Sequence, residues 1–184
     1  MRFLKSELID LSKAYVAITL AFGIFFSRGS LGLAEALGVS AIAVGAGFIV
    51  HELAHKFVAQ HFNCTAHFKS DDRMLVLAVL LALFLPVVIA APGAVVISNV
   101  TNRRSYGKIS ASGPAANIVL ALLFLGASFF ITSPIAFYGF RINALLALFN
   151  LIPFGPFDGK KIKDWNVPVY YIMLAASAIM FFLL

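Results

Sequence analysis

The sequence predicts an all-α polytopic membrane protein of about five to six transmembrane helices, with a re-entrant or β-like membrane-associated segment in its middle. Three observations carry that expectation. Of 184 residues, 61% are hydrophobic and only 12% charged, against about 45–50% and about 25% in ordinary soluble domains. Uncharged stretches of span length recur along the chain. The basic residues fall in short clusters between those stretches, as in loops beside anionic lipid, so the net charge of +6 does not point to nucleic acid. The length suits one domain, 1–184, with no internal repeat, low-complexity tract or soluble module. Cys64, the lone cysteine, excludes an internal disulfide and a multi-cysteine metal site, and reads as a small buried apolar residue.

The elements follow in order. Arg2, Lys5 and Lys13 precede the uncharged run Ala14–Phe26, which imitates a signal peptide. Glu7 and Asp10 interrupt the basic region, however, and Ser27-Arg28-Gly29-Ser30 reads as a turn, so Leu8–Phe26 is taken as a retained first helix. Leu31–Val50, uncharged after Ala36, continues through His51-Glu52-Leu53-Ala54-His55 to about Phe62 as one long helix. Met74–Asn102 holds no charge but is broken by Pro86 and by Pro92-Gly93, and its β-branched run Val95-Val96-Ile97 suits a strand. Ile109–Phe140 is too long for one span, with its turn at Ser133-Pro134. Ile135–Phe157 forms the next segment, and Trp165–Leu184 closes the chain, begun by Asn166 and Pro168.

Counting charges orders the topology. If Met74–Ser98 crosses once, the basic residues divide evenly between the two sides, which orients nothing. If it dips in and returns at Pro86 or Pro92-Gly93, only Arg28 and Arg141 face away from all the others, as the positive-inside rule expects. A re-entrant segment must be packed on protein or line a wet cavity. The end of the helix near Phe62 then faces the cytoplasm, and His55 lies roughly 10 Å inside it at about 1.5 Å of rise per residue. A site there is submerged but reachable by water.

H-E-x-x-H on a helix places two imidazoles one turn apart on one face, where both can grip a Zn²⁺ with the glutamate beside it. A third protein ligand is needed. His61 has the sequence spacing of the extended metzincin motif, but Val58 stands at the helix-ending glycine position, and an unbroken helix turns His61 away from His55. His67 reads as part of a polar loop with Lys69, Ser70, Asp71 and Asp72, and Glu35 as an end-of-helix residue. Asp158 lies in Asn150-Leu151-Ile152-Pro153-Phe154-Gly155-Pro156-Phe157-Asp158-Gly159, whose prolines and glycines forbid regular helix and imply a cavity at depth. On its own it serves equally as a ligand, or as a helix cap or interfacial ion-pair partner.

Taken together, the motifs resemble those of the site-2 protease family of intramembrane zinc metalloproteases. The family's H-E-x-x-H is matched by His51, Glu52 and His55, and its N-x-x-P-x-x-P-x-D-G by Asn150, Pro153, Pro156, Asp158 and Gly159. Gly113-Pro114-Ala115-Ala116-Asn117 is similar to its G-P-x-x-N, and Ala91–Val95 occupies the place of its membrane-associated β-like segment. The resemblance covers 31–163 and is to a minimal archaeal or bacterial core without a PDZ or CBS domain, although the long apolar Met74–Pro86 is less typical.

The resemblance implies one zinc per chain on His51, His55 and Asp158, Glu52 as general base, and Asn150 as an amide donor to the substrate backbone or oxyanion. Gly113, Pro114 and Asn117 are expected to pack. The implied function is endopeptidase cleavage within or near a transmembrane segment of a membrane-protein substrate, in the manner of regulated intramembrane proteolysis. The substrate and the lipid bilayer are the partners, with no nucleic acid. The implied location is the cell membrane, multi-pass, with the site nearer the cytoplasmic face. A divalent-metal transporter or channel would use the same four ionisable groups as a pathway. An inactive membrane-binding relative would ordinarily have lost Glu52 or a ligand, and neither is lost.

Overall fold

The computed structural model describes residues 3–85 and 92–182. Helix α1 (Lys5–Ser27) is followed by α2 (Leu33–His61), whose stretch Ser40–Gly45 is wound as π-helix. Then come β1 (Thr65–Ser70), α3 (Asp72–Phe84), β2 (Gly93–Ser98), α4 (Arg103–Ser128), α5 (Pro134–Asn150), α6 (Asp158–Trp165) and α7 (Val167–Phe182). Helices α1, α2 and α4 are long and apolar enough to cross a membrane; α5 and α7, with 17 and 16 residues, are shorter.

The distribution of side-chain sizes is that of a chain packed in lipid. Ala14, Ala21, Ala36, Ala43, Ala59, Ala121, Ala144 and Ala147 expose no surface, while Leu123, Phe129, Phe130, Phe137 and Phe182 are more than half exposed. A soluble core buries its largest apolar groups. Helices that gain nothing by hiding Leu and Phe from lipid instead put small residues where backbones meet. Gly45 marks one such approach, since a Cβ there would stand 2.6 Å from the Tyr15 ring on α1.

Local sequence explains most element ends. Asn102 and Ser133 cap α4 and α5, accepting hydrogen bonds from Ser105 N–H at 2.8 Å and Ile135 N–H at 3.2 Å, and Pro134 occupies the first turn where its missing N–H costs nothing. Asp71 caps α3 through Arg73 and Met74. Asn63, at φ 57°, takes the left-handed conformation just past α2.

One expectation is corrected. Residues 65–70 are a strand rather than a polar loop, and the signal was the alternation that buries Ala66 and Phe68 between outward-facing Thr65 and Lys69. Helix α5 ends at Asn150, where the stretch whose prolines and glycines forbid regular helix begins. Residues 158–165 form a separate short helix before Asn166, with Asp158 in its first turn.

The β-rich segment after Pro92 is present as β2, which pairs antiparallel with β1 from Thr65↔Ser98 to Ser70↔Gly93. Gly93 starts the strand at φ 143°, a conformation L side chains avoid. Pro86 and Ala91 lie outside the described residues, as do Met1, Arg2 and Leu184.

A buried ion pair ties this hairpin to two helices. Glu7 of α1 and Lys56 of α2 each expose 1% of their surface, with Lys56 Nζ 2.6 Å from Glu7 Oε1. Glu7 also accepts Phe68 N–H from β1 at 3.0 Å, and the Phe3 ring covers the ammonium at 3.8 Å. A shallow, almost wholly apolar groove of about 930 Å³ runs between α1 and α3, and its few polar residues include the ion pair of Lys13 with Asp72.

Candidate metal centre

Helix α2 presents His51 and His55 one turn apart with their Nε2 atoms 3.0 Å from each other. The start of α6 brings Asp158 Oδ2 to 3.0 Å from His55 Nε2 and 3.7 Å from His51 Nε2. All three residues are buried, and their ligand atoms lie within 4.8 Å of one another. Tetrahedral zinc with bonds of about 2.0–2.1 Å spaces its ligand atoms by about 3.3 Å, so this donor set fits zinc.

The histidines are also wired for it. His55 Nδ1 lies 2.8 Å from the Ile109 carbonyl, an acceptor only, so the proton sits on Nδ1 and the Nε2 lone pair faces Asp158. His51 Nδ1 lies 2.5 Å from Asn117 Oδ1, with the same consequence. Asp158 Oδ1 accepts from Lys161 at 3.3 Å.

Glu52 is buried beside the pair, and its Oε2 accepts Val95 N–H from β2 at 3.1 Å. That donor points away from β1, since β1 contributes Phe68 opposite Val95 and Phe68 N–H goes to Glu7 on the far edge. The outer edge of β2 thus faces the metal ligands across a cavity of about 430 Å³ that also admits Asn150 and Lys161.

Of the other residues singled out in the sequence, Asn150 lines the cavity, but its amide donates to Leu146 O on its own helix at 2.9 Å. His61 is exposed at the end of α2, Glu35 is exposed in its first turn, and His67 pairs with Val96 in the hairpin; none joins the ligand set. Asn117 is wholly buried, as its expected packing role requires, and its oxygen also meets His51 Nδ1. Gly113 has a similar standing. A methyl at that position would overlap His55 Nε2 and lie 2.6 Å from His51 Nε2.

Gly113→Ala is therefore expected to lower zinc affinity about 10- to 100-fold with every ligand intact, the range for disturbed ligand orientation. Titration against a competing chelator measures it, and unchanged affinity would mean that the helices part to admit the methyl.

The comparisons agree with the metal chemistry. The chain is 37% identical over 179 residues to a protein of Methanocaldococcus jannaschii named "putative zinc metalloprotease", covering 94% of this chain and 91% of the relative. No protein-family model matches the chain, and no solved structure does.

Proposed function

The chain belongs to the zinc metalloprotease family of this archaeal relative, and from that premise we propose that it is an intramembrane endopeptidase of the site-2 type. The observation that carries the reading is the convergence of Asp158 on His51 and His55, which with buried Glu52 lie on a helix long and apolar enough to cross a membrane.

Zinc is its cofactor, and His51, His55 and Asp158 are the residues that hold it. When bound there, zinc supplies Lewis-acid polarisation of a carbonyl and of water. Glu52 takes the proton of the attacking water on its carboxylate and returns it to the leaving amine. Asn150, released from Leu146, offers an uncharged amide to the substrate backbone or the developing oxyanion.

A helical substrate hides its scissile carbonyl in its own hydrogen bonds, so several residues must unwind first. The outer edge of β2, which lines the cavity and whose Val95 N–H already anchors Glu52, supports docking of the opened segment by strand addition. Cleavage of a reporter transmembrane segment in proteoliposomes tests the reading. Turnover should vanish with a chelator and return with zinc; cleavage indifferent to chelator would defeat it.

We read α1, α2, α4, α5 and α7 as spans of the cell membrane, with 74–98 re-entrant and the site nearer the cytoplasmic face. The strand register supports the re-entrant reading. The chain leaves β1 at Ser70 and rejoins it at Gly93, with Asp71 N–H bonded to Pro92 O at 3.1 Å. Cysteines placed at positions 69 and 108 in a Cys64→Ser background should then label equally from one side with an impermeant thiol reagent. Opposite labelling would require a single crossing.

A further inference from the structure

Asn143 lies on α5, outside every motif considered so far, and exposes no surface. Its Nδ2 donates to two backbone carbonyls, Ala43 O at 3.0 Å and Gly139 O at 2.9 Å. Both can only accept, which fixes the amide with Nδ2 towards them and Oδ1 away. That oxygen accepts Asn117 Nδ2 at 2.9 Å, and Asn117 Nδ2 also reaches Gly47 O at 3.2 Å. With its donors committed, Asn117 has only Oδ1 to offer His51 Nδ1. Each amide therefore sets the polarity of the next, and the sequence starts at a carbonyl in the π-helical stretch of α2. Such stretches occur often at functional sites.

Two features indicate a built relay rather than incidental packing. Gly47 leaves the room it needs, since a Cβ there would overlap Asn143 Oδ1 and lie 3.2 Å from its Cγ. Both asparagines are wholly buried with every side-chain hydrogen bond named above directed inward, an arrangement tolerated only when satisfied throughout.

We propose that Asn143 is a positioning residue for the zinc site, acting through Asn117 to hold the His51 proton on Nδ1 and its Nε2 lone pair towards the metal. The proposal rests on His51 being a ligand. Full zinc in a His51→Ala protein would sink that premise, whereas normal behaviour of an Asn143 variant would sink only the relay.

The test replaces Asn143 by Leu, close in volume but unable to orient Asn117, with Asn143→Ala run beside it in case the larger side chain is not accommodated. Imidazole ¹⁵N NMR of the metal-free protein reads the tautomer. His51 should carry its proton on Nδ1 in the wild type and become a mixture of tautomers in the variant. Zinc affinity, by chelator competition, should fall about 10- to 100-fold, as for other groups that orient ligands.

The same substitution in an Asn117→Ala background should add little, because the link to His51 is already cut. A variant that only melts earlier, with tautomer and zinc affinity unchanged, would overturn the proposal. So would an equal loss of affinity with and without Asn117.

Discussion

Glu52→Gln is expected to keep about one zinc per chain and to lose peptide cleavage by about 10²–10⁴-fold, the range for removing a general base. The amide preserves the shape of the side chain and can still accept Val95 N–H, so the hairpin stays in place. What it loses is the ability to take a proton. Glu52 is buried, and the ligand cluster comprises His51, His55 and Asp158 without it, so binding and chemistry should separate cleanly. Zinc analysis beside cleavage of the reporter segment reads both. Robust turnover by this variant would refute the assigned mechanism.

Asp158→Asn should do the reverse, lowering zinc retention first and activity as a consequence. The change leaves a weak neutral donor where a carboxylate faced two imidazoles, and it leaves Lys161 without its ionic partner. The fold should survive, because α6 is also held by buried Gly159 and Ile162. His61→Ala is the matched control and should retain full zinc, since that side chain is exposed at the helix end. Full zinc in the first variant with loss in the second would exchange their roles.

The residues that converge at the candidate metal centre were legible because each sits in a short local pattern: one helical turn for His51 and His55, and a proline-broken stretch for Asp158. Helix starts with side-chain caps were legible for the same reason, as at Ser133. The strand β1 had a readable alternation, but it is short and mostly polar, and its partner lies beyond a 13-residue helix. Asn117 and Asn143 gave no local sign of the hydrogen bonds they make. Apart from the Gly139 carbonyl, their partners lie tens of residues away, and a buried amide takes its meaning from what surrounds it. Gly113 was visible as a glycine, yet its reason is a pair of imidazoles on another helix. Nor does any propensity announce the π-helical stretch, whose alanines, valine and isoleucine suit an ordinary helix equally well.

The Glu7–Lys56 pair bears on how the protein is made. A lysine entering the bilayer alone on a nascent helix costs up to about 3 kcal/mol at the centre, less near an end. Lys56 meets its counter-charge on the helix synthesised immediately before it. The two segments are therefore expected to leave the insertion machinery as a joined pair, neutralised before the third arrives. A chain in which α1 is misplaced would strand an unpaired ammonium in the helix that carries both histidines.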